Sequence, residues 1–317
     1  MKKNSKITLC LACLCLQLTN VLAQEIQRVE IAHDKLNEFV NLRDFCISSA
    51  NDEIYFTIQS PFQEISQIAY MKKTNGEWTS PELMAFSNKF SDLEPFLSPD
   101  QTKLYFASNR PLNDTSNTEK DYDIWYIERA DKQSPWSIPI NLGEPINTGQ
   151  DEFYPSVSKN GNLYFTLDSP SGMGKDDIYF SEFKDGIYLQ PHLLDSAINS
   201  PGYEFNAFVS KNEDFLIFTK YNSEDGFGSG DLYISTKDIN NNWTQAENLG
   251  SGINTKFMEY CPFYDEENEI LYFTSRRNNI EKRTFENFES LKSYLTESEN
   301  GLSKIYKVKY KVNKPER

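Results

Sequence analysis

Apolar and polar positions alternate along this chain in short runs, and the runs come in sets. One set fills Asp92 to Thr148: Asp92–Arg110, Asp121–Ile127 and Trp136–Thr148 cluster β-branched and aromatic residues on either side of a polar loop. Ser98-Pro99-Asp100, Asn109-Arg110-Pro111 and Lys132-Gln133-Ser134-Pro135 punctuate them. Such runs predict short antiparallel strands, because branched and aromatic side chains fit a pleated surface while Pro, Asp and Asn end it.

The set recurs. Its second strand closes on Phe56, Phe106, Phe165, Phe218 and Phe273, at steps of 50, 59, 53 and 55 residues. Its third returns as Gln67–Tyr70, Asp123–Tyr126, Asp177–Phe180, Asp231–Ile234 and Lys304–Lys307. The fourth pairs an aromatic with a residue three positions on: Trp78/Pro81, Trp136/Pro139, Tyr188/Pro191 and Trp243/Ala246. Four strands per repeat at this spacing predict the blades of a β-propeller. Blades one to four are then residues 42–88, 92–147, 152–199 and 204–254.

The two ends of the repeat array are complementary. Residues 24–41 match the second half of a repeat, with Ile26 standing for Trp136, Val29 for Pro139 and Asn37 for Asn147. The last repeat has strands near Cys261–Tyr264, Ile270–Phe273 and Lys304–Val308, then only a tail at 312–317. The expected fold is therefore all-β: a single propeller of five four-stranded blades over residues 42–311. The N-terminal strand Ile26–Ala32 closes the ring by completing the last blade, which removes two open sheet edges. An insertion at 278–301 predicts a short helix, with Phe285, Phe288, Leu291 and Leu295 on one face, Thr284 as its cap and Gly301 beyond its end. It is expected to cover sheet surface, or else to serve as a lid or docking element.

Composition places this fold outside the cytoplasm. Lys2, Lys3 and Lys6 precede an apolar run from Ile7 to Leu16 and then Val21-Leu22-Ala23. This predicts a secretory signal over residues 1–23, cleaved after Ala23. No later run is long enough to span a membrane. Leu11-Ala12-Cys13 is a weak lipoprotein box, and a lipid anchor at Cys13 is not expected. Loss of the signal moves the net charge from −15 to −18, with 29 basic against 47 acidic residues. So acidic a surface excludes nucleic acid as a partner and predicts a solvated, periplasmic or extracellular monomer.

The stretch Ser98–Arg110 followed by Asp121–Trp125 resembles the WD40-like propeller repeat of the TolB type. Trp136–Pro139, Leu142-Gly143 and Ile146-Asn147 resemble the variant common in envelope proteins of Bacteroidetes. The resemblance spans nearly all of the chain after Ala23, although blades one and four lack the Ser-Pro-Asp turn and Gln101 stands where the family has glycine. It implies a binding scaffold with an envelope protein or glycan as partner, rather than an enzyme.

Residues that recur in every blade are expected to serve the blade. Asp92, Glu152, Glu204 and Glu259 precede the first strands, and Asp123, Asp177 and Asp231 open the third. These carboxylates are read as hydrogen-bond partners for backbone N–H groups in turns. The alternative is a carboxylate pair of the kind that glycan-cleaving enzymes use, since five-bladed propellers host such enzymes. Ser171-Gly-Met-Gly174 and Gly226-Phe-Gly228 are read as turns, because no helix follows to make them phosphate loops. His33 and His192 lie in different blades, so neither a zinc site nor a Ser-His-Asp triad is expected, and no metal, cofactor or catalytic residue is assigned.

Pattern-breaking residues are freer to bind a ligand. They follow the second strand as Gln59, Asn109, Asp168, Tyr221 and Arg276, with Arg110 and Arg277 beside them, and Arg43, Tyr154 and Asn206 join from the first strands. Arg and Tyr at a concave mouth suit a peptide or glycan; pairing of the arginines with repeat carboxylates is the other reading. Cys46 and Cys261, both on first strands, are either a disulfide across the ring seam or two buried thiols. The function expected is non-enzymatic binding of a protein or glycan at the channel mouth. A glycan-acting enzyme and a structural envelope component remain as alternatives.

Overall fold

Each repeat pairs its strands outwards from the ring axis, and blade two shows the pattern. Asp92–Leu97, Lys103–Ser108, Asp123–Glu128 and Ile140–Asn141 form one antiparallel sheet in chain order. The structure, a computed structural model, describes residues 28–113 and 116–313 and holds five such blades in a ring. The recurring Phe56, Phe106, Phe165, Phe218 and Phe273 are wholly buried, which is why the repeat keeps them. A buried Phe contributes about 1.5–3 kcal/mol over an exposed one.

The ring closes as the unmatched ends require. Glu30–Ile31 pairs antiparallel with Lys304–Lys309 as the fourth strand of blade five, Glu30 opposite Lys307 and Ile31 opposite Tyr306. Ala32 N–H donates to Ile305 O at 2.9 Å, and Leu36 is buried behind it. Ile26, the leader, its cleavage after Ala23 and Cys13 lie outside the described residues.

The fourth strands are shorter than the sequence suggests and begin later. They are Glu82–Leu83, Ile140–Asn141, His192–Leu193 and Glu247–Asn248, each starting one residue after Pro81, Pro139, Pro191 and Ala246. Proline has no N–H for the ladder, so pairing waits until it has passed. The preceding aromatic instead folds back, with Trp78 opposite Lys73 and Tyr188 opposite Phe183. Closing strand and outer strands follow one register, since Val29 stands where those prolines do.

In blades two, three and four a side-chain amide ties the outer turn to its third strand. Asn147 accepts from Ile124 N–H and donates to Ile124 O, both at 2.9 Å. Asn199 does the same to Ile178, and Asn254 to Leu232. The recurring Ile-Asn thus mimics one more rung of the ladder.

The insertion contains a helix at Phe288–Thr296, capped by Asn287 through a reciprocal box with Ser290 rather than by Thr284. None of its residues is buried: Phe288 and Leu295 are exposed, and Leu291 and Tyr294 are half-buried. No helix among the described residues is long and apolar enough to cross a membrane. Cys46 and Cys261 are free thiols, buried in separate clusters, so the seam carries no disulfide.

Candidate functional site: the axial mouth

Every first strand carries a bulge at its third residue, and the bulge decides what reaches the axis. The residues there are Asp44, Glu94, Tyr154, Asn206 and Cys261, all with positive φ between 49° and 61°. The register slips beside each one, between Arg43/Phe45, Leu93/Phe96, Phe153/Ser156, Phe205/Phe208 and Tyr260/Phe263. A left-handed backbone costs a non-glycine residue about 1 kcal/mol or more, and it persists because it turns five side chains inwards together.

These five side chains form a closed polar ring around Arg43. The guanidinium donates to Asp44 Oδ1 at 2.9 Å, to Glu94 Oε1 at 2.6 Å and to Cys261 Sγ at 3.3 Å. Glu94 also accepts from Tyr154 N–H at 2.6 Å and from Asn206 Nδ2 at 3.3 Å. Tyr154 donates its hydroxyl to Pro262 O, and Cys261 donates its thiol to Asn206 Oδ1 at 3.4 Å. Burial pushes the Glu94 carboxyl well up from the usual range against the pull of Arg43, and Asp44 adds to the rise. Burial likewise raises the Cys261 thiol, which makes it an inert cysteine rather than a nucleophile.

Below the polar ring the channel is filled. Phe96, Phe208 and Phe263 meet across the axis with ring centres 5.3–6.3 Å apart, and Phe45 joins Phe263 at 6.4 Å. One residue earlier in each first strand stand Arg43, Leu93, Phe153, Phe205 and Tyr260. Phe153, Phe205 and Met258 pack half-buried against Tyr154, Tyr260 and Cys261. Tyr260 lies between two guanidiniums, Arg43 at 5.4 Å and Arg276 at 5.7 Å from its ring centre. We call this aromatic-lined mouth of the ring the cup.

Of the residues singled out from sequence, Arg43, Tyr154 and Asn206 meet in the polar ring, and Arg276 stands at its rim. Arg110 and Arg277 instead turn back into their blades. Arg110 reaches Asp92 at 2.5 Å and Arg277 lies 3.6 Å from Glu259, each stacked over the aromatic residues of its own sheet. Asn109 is buried and accepts from Ser91 N–H at 2.9 Å. Gln59 is buried too, donating to Ser66 Oγ at 2.8 Å while its Oε1 has no partner among the described residues. Asp168 is exposed on a loop and Tyr221 is exposed at the end of strand Phe215–Tyr221, edge-on to Tyr203 at 5.7 Å. Sequence reasoning did not assign Asp44, Glu94 or Cys261 to the site. Their shared register with Tyr154 and Asn206 was the signal that would have found them.

The recurring acids stay in the blades. Glu152, Glu204 and Glu259 each accept the backbone N–H of the residue four earlier, at 2.7–3.2 Å, and that residue's hydroxyl as well. Asp177 and Asp231 accept two N–H groups each from the glycine-rich loops, which wrap the carboxylate as a turn. A Cβ on Gly172 would come within 2.2 Å of Asp177 Oδ2, so the loop requires glycine there. No group of three or more His, Cys, Asp or Glu residues among those described has the geometry to hold a metal ion.

No protein-family model and no curated protein matches the chain. Solved structures do. One described as a glycoside hydrolase is 9% identical, over 92% of this chain and 94% of its own, with a TM-score of 0.54. The α-L-arabinofuranosidase PaAbf62A from Podospora anserina in complex with cellotriose is 11% identical, over 88% and 93%, with a TM-score of 0.51. The putative TolB from Agrobacterium tumefaciens is 11% identical, over 74% and 69%, with a TM-score of 0.48. At these identities the likeness is one of fold.

Proposed function

We propose that this chain is a binding propeller that seats a protein or glycan partner in the aromatic cup and catalyses nothing there. The observation that carries this reading is Arg43. One guanidinium occupies both axial carboxylates, Asp44 and Glu94, which are themselves almost wholly buried. A pair working on a glycosidic bond must stand on either side of it, about 5–9.5 Å apart, with room for sugar or water between. The half-buried Phe153, Phe205 and Met258 around Tyr260 offer contact area, the usual currency of recognition. We place its site of action in the periplasm or outside the cell because residues 1–23 read as a secretory signal.

A second reading, a glycan-acting enzyme, is favoured by one specific feature: Glu94 and Asp44 sit together at the ring centre, and burial holds the Glu94 carboxyl towards its protonated form. Arrays of glycans and peptides probed with wild type and with the Phe153→Ala/Phe205→Ala double variant test the first reading. Signals lost in a variant that still folds support it. Hydrolysis of an arabinoxylan by wild type, abolished in Glu94→Gln, would replace it with the second.

A further inference from the structure

The mouth holds an arginine that pairs with no carboxylate among the described residues. Among the described residues, five arginines are at least half-buried: Arg43, Arg110, Arg129, Arg276 and Arg277. Four of them lie against carboxylates, namely Asp44 and Glu94, Asp92, Glu53, and Glu259. Arg276 has no carboxylate partner among the described residues. It is nevertheless held in place: its Nε donates to Ser303 Oγ at 3.2 Å, and that oxygen lies 2.8 Å from the Tyr260 hydroxyl. Its guanidinium stays over the Tyr260 ring, and neither terminal nitrogen has a hydrogen-bond partner among the described residues. In a chain with 47 acidic and 32 basic residues, a positioned arginine without an acid is a place made for an anion from outside.

What surrounds Arg276 narrows the anion. Tyr260, under its guanidinium, belongs to a cluster against which Phe153, Phe205 and Met258 pack half-buried, and the side chains of these three donate no hydrogen bond. The nearby polar groups are already committed: Asn206 to Glu94 and Cys261, and Tyr154 to Pro262 O. A sugar carrying a carboxylate would place its hydroxyls on these apolar side chains and lose their hydration without replacement. A carboxylate joined directly to an apolar side chain meets both surfaces at once.

We infer that the cup takes the C-terminal residue of a partner polypeptide, its α-carboxylate forked on Arg276 and its apolar side chain on Phe153, Phe205 and Met258. The inference rests on the cup being a binding site. The full-length protein and its Arg276→Met and Phe205→Ala variants are titrated with octapeptides whose upstream positions are randomised. The peptides end in Leu, Phe or Asp, each as free acid and as carboxamide, with an oligogalacturonate as comparison and thermal unfolding as the check on folding. Free acids ending in Leu or Phe should bind about tenfold more tightly than their amides. Arg276→Met should erase that difference, and Phe205→Ala should weaken acid and amide alike. Equal binding of acid and amide, no peptide binding at all, or Arg276-dependent binding of the oligogalacturonate alone would overturn the inference. If acid and amide bind equally but Phe205→Ala weakens both, the cup still binds and only the carboxylate assignment fails. If neither variant changes any binding, the cup itself is not the site.

Discussion

Arg43 is the residue on which the axial ring depends. Its removal strands Asp44 and Glu94 in a buried site without a cation, and uncompensated buried charge costs about 3–5 kcal/mol. Arg43→Met should therefore lower the unfolding free energy measured in urea by that order, and the loss should shrink at pH 5, where Glu94 takes up a proton. A second residue-scale expectation concerns Glu152, whose carboxyl is pushed up to about 7 by burial, with Asp123 and Asp121 adding to the rise against Thr148. An acid whose folded value lies above its unfolded value of about 4.3 lends stability that is complete below that unfolded value and lost as pH rises through 7. Glu152→Gln should remove part of this slope, so that stability between pH 4.5 and 8 becomes flatter than in wild type. Equal slopes in chemical denaturation would show that Glu152 is not the source. At this scale the sequence was only partly legible. Tyr154 and Asn206 stood out as breaks in a pattern, but Asp44, Glu94 and Cys261 did not. Their left-handed backbone is set by the bulge, and Glu, Tyr and Cys give no local sign of it.

At the scale of elements, periodicity and turn chemistry located the inner three strands of every blade, because those strands are buried on both faces and their runs are long. The outer strands are two residues each, shorter than any run that periodicity can define, and proline delays their start. The closing element shows how much such a short strand can carry. Leu36 behind it is buried at 1% exposure, and the Lys304 ammonium bonds to the carbonyls of Asn37 and Phe39. Leu36→Ala should cost about 2–5 kcal/mol by the usual cavity penalty. By contrast Leu295→Ala, on the exposed side of the insertion helix, should change stability by less than about 0.5 kcal/mol. Paired thermal melts of the two variants check both; a Leu36→Ala protein as stable as wild type would mean that the ring does not rely on its closing segment.

For the whole molecule, the five-fold repeat made the ring countable from sequence, since unmatched halves at the two ends can only complete each other. The seam itself was not legible, because two cysteines in neighbouring blades permit a bridge without requiring one. The structure keeps them apart: Cys46 packs between blades one and two, and Cys261 hydrogen-bonds at the axis. Burial pushes the Cys46 thiol up to about 12 and raises the Cys261 thiol as well. A thiol reagent at pH 8 should therefore leave both unmodified in the folded protein and react with both once urea unfolds it, without prior reduction. Failure of Cys46 and Cys261 to react after unfolding would point to a disulfide.

The closing pairing has a mechanical consequence. Glu30 faces Lys307 and Ile31 faces Tyr306, so residues 28 and 309 leave the sheet side by side at the same end of one antiparallel pair. Tension applied there does not load the rungs together in shear; it opens them one after another, as a zipper does. The closing pair is thus compliant to a pull on its two ends. Once Glu30–Ile31 has peeled away, blade five still holds its three remaining strands, and release of the load lets the same two rungs close again.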